Sequence, residues 1–128
     1  MKKITALLFL LVMLSACQSK AIYNIESASV PSGVTLKQVE KSIRKALVQK
    51  GWSVKEKSDG IIIADILVRD HSAEIMIKYN TSTYSINYVE SNNLKYNAKK
   101  KTIHKNYNNW VIYVNRLIQS SLIEYATD

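Results

Sequence analysis

The chain has 128 residues, 47% of them hydrophobic and 22% charged. That is room for one small domain with one core, and it excludes a multi-domain enzyme and an intrinsically disordered chain. Three glycines and one proline exclude a collagenous protein or a Gly/Pro-rich linker. The formal charge is +8, and loss of Lys2 and Lys3 with an N-terminal signal leaves about +6. Such a balance favours anionic partners without bearing on fold. A single cysteine makes neither an intramolecular disulfide nor a Cys-cluster zinc site.

The position of that cysteine explains it. Lys2 and Lys3 form a positive start, and Ile4 to Met13 is an apolar run too short to span a bilayer. Leu14-Ser15-Ala16-Cys17 follows. The string resembles the bacterial lipoprotein signal, in which Leu-Ser-Ala precedes a lipid-modified cysteine. The resemblance implies a diacylglyceryl group on the Cys17 sulfur, cleavage before Cys17, and N-acylation in Gram-negative bacteria. Residues 1–16 are then the signal peptide. Two or more acyl chains give stable anchoring, which one chain does not. In enterobacteria an Asp after the cysteine retains lipoproteins in the inner membrane. Gln18 stands there instead, so the expected site is the outer membrane, facing the periplasm, with the inner membrane as the alternative.

Residues 17–34 are expected to be the lipidated cysteine and a tether. They carry Ser19, Ser27, Ser29, Ser32, Pro31 and Gly33 and no long periodic run. Seventeen extended residues reach about 55–60 Å, enough to stand a domain off the membrane. Tyr23, Ile25 and Val30 argue that part of the stretch docks on the domain.

A single domain is expected over residues 35–125. Thr35-Leu36-Lys37-Gln38 fits a capping box, and Leu36, Val39, Ile43 and Leu47 recur at helical spacing. Lys50-Gly51 is a helix stop. Trp52 and Val54 begin a short strand, and Lys57-Ser58-Asp59-Gly60 reads as a four-residue turn. A strand over 61–69 is apolar on both faces. Asp70-His71-Ser72 is a tight connection. Ala73, Ile75, Ile77 and Tyr79 alternate with polar residues, and so, after a loop at 80–83, do Tyr84, Ile86 and Tyr88. A second helix is expected from about Thr102 to Glu124, with Ile103, Tyr107, Trp110, Val114, Leu117 and Ser121 on one seam. A coiled coil competes, but three heptads with aromatic residues suit packing on a sheet. The fold class is α+β: a helix, an antiparallel meander of three to four strands, and a long C-terminal helix, both helices on one sheet face.

The glycines lie too far apart for a phosphate-cradling loop or a nucleophile elbow. His71 and His104 are not in zinc-ligand spacing, so no metal is expected. Acylation would remove Cys17 as a nucleophile. No cofactor is expected beyond the covalent lipid on Cys17. The parity of His71 with Ala73 points it inward, and His104 opens the second helix one turn before Asn108. If that helix end covers the turn at 70–72, then His71, Glu74, His104 and Asn108 form a polar cluster. Such a cluster either moves protons or binds a ligand or, more simply, plugs the helix–sheet junction.

Tyr79, Tyr84, Tyr88, Tyr107 and Trp110 sit at core parity, so core packing is expected of them ahead of stacking on sugars or bases. Lys37, Lys41, Arg44 and Lys45 share a helix face, and Lys99, Lys100 and Lys101 form a run. Solvation explains both, and contact with anionic lipid or lipopolysaccharide is the functional alternative. Nucleic acid is not an expected partner of an exported, tethered protein. If Ile62, Ala64, Ile66 and Val68 face the helices, then Ile63, Leu67, Met76 and Val89 gather on the open face. That patch either meets a partner or is covered by Tyr23, Ile25 and Val30.

From Gly51 to Trp110 further strings carry a resemblance: Gly51-Trp52, Gly60-x-Ile62-x-Ala64, His71-x-Ala73-x-Ile75-x-Ile77-x-Tyr79, Tyr84-Ser85-Ile86-x-Tyr88, Ser91-x-x-Leu94-x-Tyr96 and Ile103-His104-x-x-Tyr107-Asn108-x-Trp110. This segment, about half the chain, resembles a family of small, mostly uncharacterised envelope lipoproteins of Gram-negative bacteria. The resemblance implies a helix–meander–helix domain behind a lipoprotein signal, and no reaction. The Gly-Trp and Gly-x-Ile-x-Ala pieces are also similar to helix-on-sheet domains of outer-membrane assembly lipoproteins, over too short a span to carry function. The expectation is a non-catalytic envelope lipoprotein, held to the membrane by its lipid, that binds a protein or an envelope polymer. The alternatives are a binder of anionic glycan through its basic faces and a small enzyme using His71 and His104.

Overall fold

The computed structural model describes residues 19–128; the expected signal peptide and Cys17 lie outside the described residues. The elements in chain order are β1 (Ser19–Ala21), β2 (Ile25–Ser29), α1 (Leu36–Gln49), β3 (Ser53–Ser58), β4 (Ile61–Val68), β5 (His71–Tyr79), β6 (Thr83–Asn92), β7 (Thr102–His104) and α2 (Lys105–Thr127). Strands β3 to β6 form the expected antiparallel meander. A fifth strand, β2, adds to its far edge in the order β2-β6-β5-β4-β3, while β1 pairs with β7 alone.

Local sequence sets the boundaries. The Thr35 hydroxyl accepts the Gln38 N–H, and the Gln38 side-chain oxygen accepts the Thr35 N–H, so two otherwise unpaired donors are satisfied at the start of α1. Gly51 leaves the helix at φ +83°, a conformation that favours glycine. Leu36, counted in the expected seam, is 48% exposed; Val39, Ile43, Ala46 and Leu47 carry the packing. The expected four-residue turn at 57–60 is shorter. Ser58 already pairs with Ile61, which leaves Asp59-Gly60 as a two-residue hairpin loop with Gly60 at φ +74°. The next loop is Arg69-Asp70, and pairing resumes at His71 opposite Val68.

Alternation along the strands divides the sheet into two faces. Ile62, Ala64 and Ile66 of β4, Ala73, Ile75, Ile77 and Tyr79 of β5, and Tyr84 and Ile86 of β6 are buried. They form one core with α1 and with Tyr107, Val111, Val114, Ile118 and Leu122 of α2. Both helices cover the same sheet face. Each fully buried isoleucine contributes about 1.5–3 kcal/mol of transfer free energy. The helices meet where Ser42 and Ser121 share a hydrogen bond of 2.9 Å. The Tyr84 hydroxyl ties sheet to helix by donating to Asn115 and accepting from Gln119 at 2.6 Å. Burial pushes that hydroxyl up to about 12.

Two expectations change. The buried stripe of α2 is rotated from the expected seam. Tyr107 and Val114 are buried, but Val111, Ile118 and Leu122 take the places assigned to Trp110, Leu117 and Ser121, which are only half-buried. Ile103 belongs to β7, so the helix begins three residues late and its phase shifts. The second change concerns the N-terminal segment, which from Ser19 onward is part of the fold. Ser19, Lys20 and Ala21 pair with His104, Ile103 and Thr102, and β2 pairs with β6. Between them Ile22 N–H donates to the Lys101 carbonyl at 2.9 Å. Asn108 accepts the Tyr23 N–H and donates to the Ala21 carbonyl, both at 2.9 Å. Asn24 accepts the Tyr88 N–H at 3.0 Å. Ile25 and Val30 enter the helix-side core. The expected domain boundary at 35 therefore moves to 19.

Replacing Asn108 by Ala removes both bonds that hold the segment at 21–23 and leaves their backbone partners unmatched. The expected loss is about 1–3 kcal/mol, read as a lower urea midpoint with the slope nearly unchanged.

Candidate functional site

The four residues of the expected polar cluster do not act as one unit. His71, at the start of β5, donates from Nδ1 to the Asn93 carbonyl at 2.7 Å and lies 3.5 Å from Asp70 through Nε2. His104 caps α2: its Nδ1 accepts the Asn106 N–H at 3.1 Å, and its own N–H donates to the Leu94 carbonyl at 2.8 Å. Both histidines thus hold the loop after β6. Asn108 clamps the N-terminal segment. Glu74 points to the opposite sheet face and pairs with Lys55 at 2.6 Å. The parity that aligns His71 with the core strand residues is correct, but the same alternation sends Glu74 away from them.

The open face is where side chains without structural duties gather. Ile63, Leu67 and Met76 lie on it as expected, with Ile61 beside them. Leu67 is 71% exposed. Val89 sits at the β5–β6 bulge, where the register shifts, and is also exposed. The alternative in which Tyr23, Ile25 and Val30 cover this patch does not hold, because Ile25 and Val30 are buried in the helix-side core. Cross-strand register adds a feature that strand-by-strand reading missed. Asp65 lies opposite Glu74, and Glu74 opposite Glu90, so three carboxylates line up across β4, β5 and β6. Lys55 reaches over from β3. Its ammonium is held charged first by the hydrogen bond it donates to Glu74, then by the nearby carboxylates of Glu74, Asp65 and Glu90. Together with Leu67 and Ser72 these groups border a depression of about 380 Å³. The visible signal was Asp65, a carboxylate inside an otherwise apolar strand.

The aromatic residues pack mainly inward, as expected. Tyr79, Tyr84 and Tyr107 are buried, and Tyr88 and Trp110 are half-buried. Tyr88 stacks on the exposed Tyr96 at 4.5 Å and meets Tyr107 edge-on at 5.5 Å. Burial raises the Tyr107 hydroxyl, which has no hydrogen-bond partner among the described residues.

The two basic regions differ. On α1, Arg44 lies 3.8 Å from Glu40. Lys41 and Lys45 border a cleft of about 270 Å³ that also contains Glu124 and Asp128, and Lys37 stands exposed one turn earlier. Acidic groups therefore offset much of that face. Lys99, Lys100 and Lys101 occupy the loop before β7, in a stretch with no Asp or Glu from residue 91 to 123. Among the described residues no group of three or more His, Cys, Asp or Glu is placed to hold a metal ion.

Residues 1–18 match the prokaryotic membrane lipoprotein lipid attachment site. The match spans Cys17, the chain's one cysteine. The protein is thus a bacterial lipoprotein, anchored to a membrane through lipid. No curated protein and no solved structure matches the chain. Among the described residues no helix is long and apolar enough to cross a membrane.

The His104 cap has a pH signature. Burial first, then the charges of Lys95 and Lys105, hold its folded pKa below the ordinary value of 6.5. Only the neutral ring accepts the Asn106 N–H. The unfolded chain binds the proton more readily, so the stabilisation is complete above about pH 6.5 and is lost as the pH falls through the lower folded value. His104→Asn keeps an N-cap acceptor and removes the titration. Thermal melts at pH 7.5 and 5 should show a smaller acid loss in this variant than in the wild type.

Proposed function

We propose that the protein is a non-catalytic binding lipoprotein of the outer membrane, facing the periplasm, whose open sheet face holds a protein partner. One observation carries this reading: the sheet face that no described residue covers places Ile63, Leu67 and Met76 beside a row of carboxylates. The surface is both apolar and acidic. Glu26, Asp65, Glu74 and Glu90 lie on it against Lys55 and Lys78, whereas the mature chain as a whole is strongly basic. Such a face fits a partner segment that carries apolar side chains and cations together, since burial supplies affinity and charge sets orientation. The separate structural duties of His71, His104 and Asn108 favour binding over catalysis. Gln18 after Cys17 supports the outer membrane.

A photo-crosslinker placed at Met76 in living cells should give a discrete protein adduct, and one placed at Lys37 should not. Leu67→Lys introduces a like charge for the partner at a 71%-exposed position. It should lower the Met76 adduct about tenfold while changing stability by less than about 0.5 kcal/mol. The same adduct from both crosslinking positions would refute a face-specific partner.

A further inference from the structure

We infer that the domain lies directly on the membrane that holds its anchor, seated on anionic phospholipid headgroups through one lysine-rich end. Two independent observations meet here. The first is covalent. The lipid attachment site spans Cys17, and β1 begins at Ser19. Two residues reach at most about 7 Å, and Gln18 is the one residue between the lipid-bearing cysteine and β1. The second is electrostatic. The strand that follows the anchor runs against β7 and the loop before it. Lys20 pairs with Ile103, Ile22 bonds to the Lys101 carbonyl, and Asn97 bridges to Thr102. That end of the domain therefore presents Lys20, Lys95, Lys99, Lys100, Lys101 and Lys105, all exposed. Neither residues 19–25 nor residues 91–123 contain an acidic residue. Asn93, at the start of the same loop, donates a hydrogen bond to Asp70 at 2.8 Å.

The arrangement places six cations where an anchored surface potential is strongest. Each lysine near an anionic bilayer shifts the balance toward contact by about fivefold. The exposed Tyr96 lies between Lys95 and the lysine run, stacked on Tyr88. An amphipathic ring at that position suits the headgroup level. The lysines of α1 lie on a different surface and share it with Glu40, Glu124 and Asp128. This seating is independent of what the open sheet face binds.

The lipidated full-length mature protein can be placed in vesicles of phosphatidylcholine alone or mixed with phosphatidylglycerol. Its lysines are then labelled with a water-soluble acetylating reagent and read by mass spectrometry. Lys95, Lys99, Lys100, Lys101 and Lys105 should label about fivefold less on the anionic vesicles. High salt should restore them, and Lys37 and Lys41 should not change. Combined Lys99→Gln, Lys100→Gln and Lys101→Gln alters exposed side chains only. It should return Lys95 and Lys105 towards their labelling on neutral vesicles. Equal labelling on both vesicles, protection that survives high salt, or protection that survives the triple substitution would each overturn the inference.

Discussion

The side chain of Asn108 does the work of a missing strand. It accepts from the Tyr23 backbone and donates to the Ala21 backbone, which bends the chain between a strand on β7 and a strand on β6. Without that clamp, β1 and β2 would be two short edge segments with few buried side chains, and such segments are weak alone. With it, Ile25 and Val30 reach the core. The N-terminal segment then closes one edge of the main sheet and fixes the loop at 93–101 beside the anchor. The position of the lysine-rich end and the exposure of the opposite sheet face both depend on this arrangement.

The molecule sorts its charge accordingly. The anchor-proximal end is basic, the open sheet face is acidic and apolar, and the helix layer is mixed. Only the first feature is tied to the membrane by covalent geometry. On the open face Leu67 projects beside three carboxylates in register. A protein of net positive charge that sets Glu26, Asp65, Glu74 and Glu90 on one sheet face has a directional surface, and direction is what charge contributes to recognition.

Much of the fold was legible because its signals are local. The Thr35–Gln38 capping box, Gly51 at a left-handed turn and the alternation along β4 to β6 each act within a few residues, and each is present as read. The N-terminal strands were not legible. An edge strand bonds on one side and needs to bury little, so Ser19, Ser27 and Ser29 resemble a linker while behaving as strand residues. The phase of α2 was misread because Ile103 fits a helical seam by spacing but pairs as a strand with Lys20. The polar cluster failed for a related reason. Strand parity and the helix start put His71 and His104 at the same junction, yet only strand register shows that Glu74 faces away and aligns with Asp65 and Glu90.

The central claim is that the fold begins at Ser19 with no free tether behind the anchor. Hydrogen exchange on the lipidated protein in vesicles tests it most directly. The amides of Ile22, Tyr23 and Val30 each donate to a fixed acceptor. They should exchange far more slowly than unstructured peptide, and Ile22 and Tyr23 should speed up together in Asn108→Ala. Exchange at the unprotected rate across residues 19–30 of the wild-type protein would contradict the account, because a segment that free is a tether.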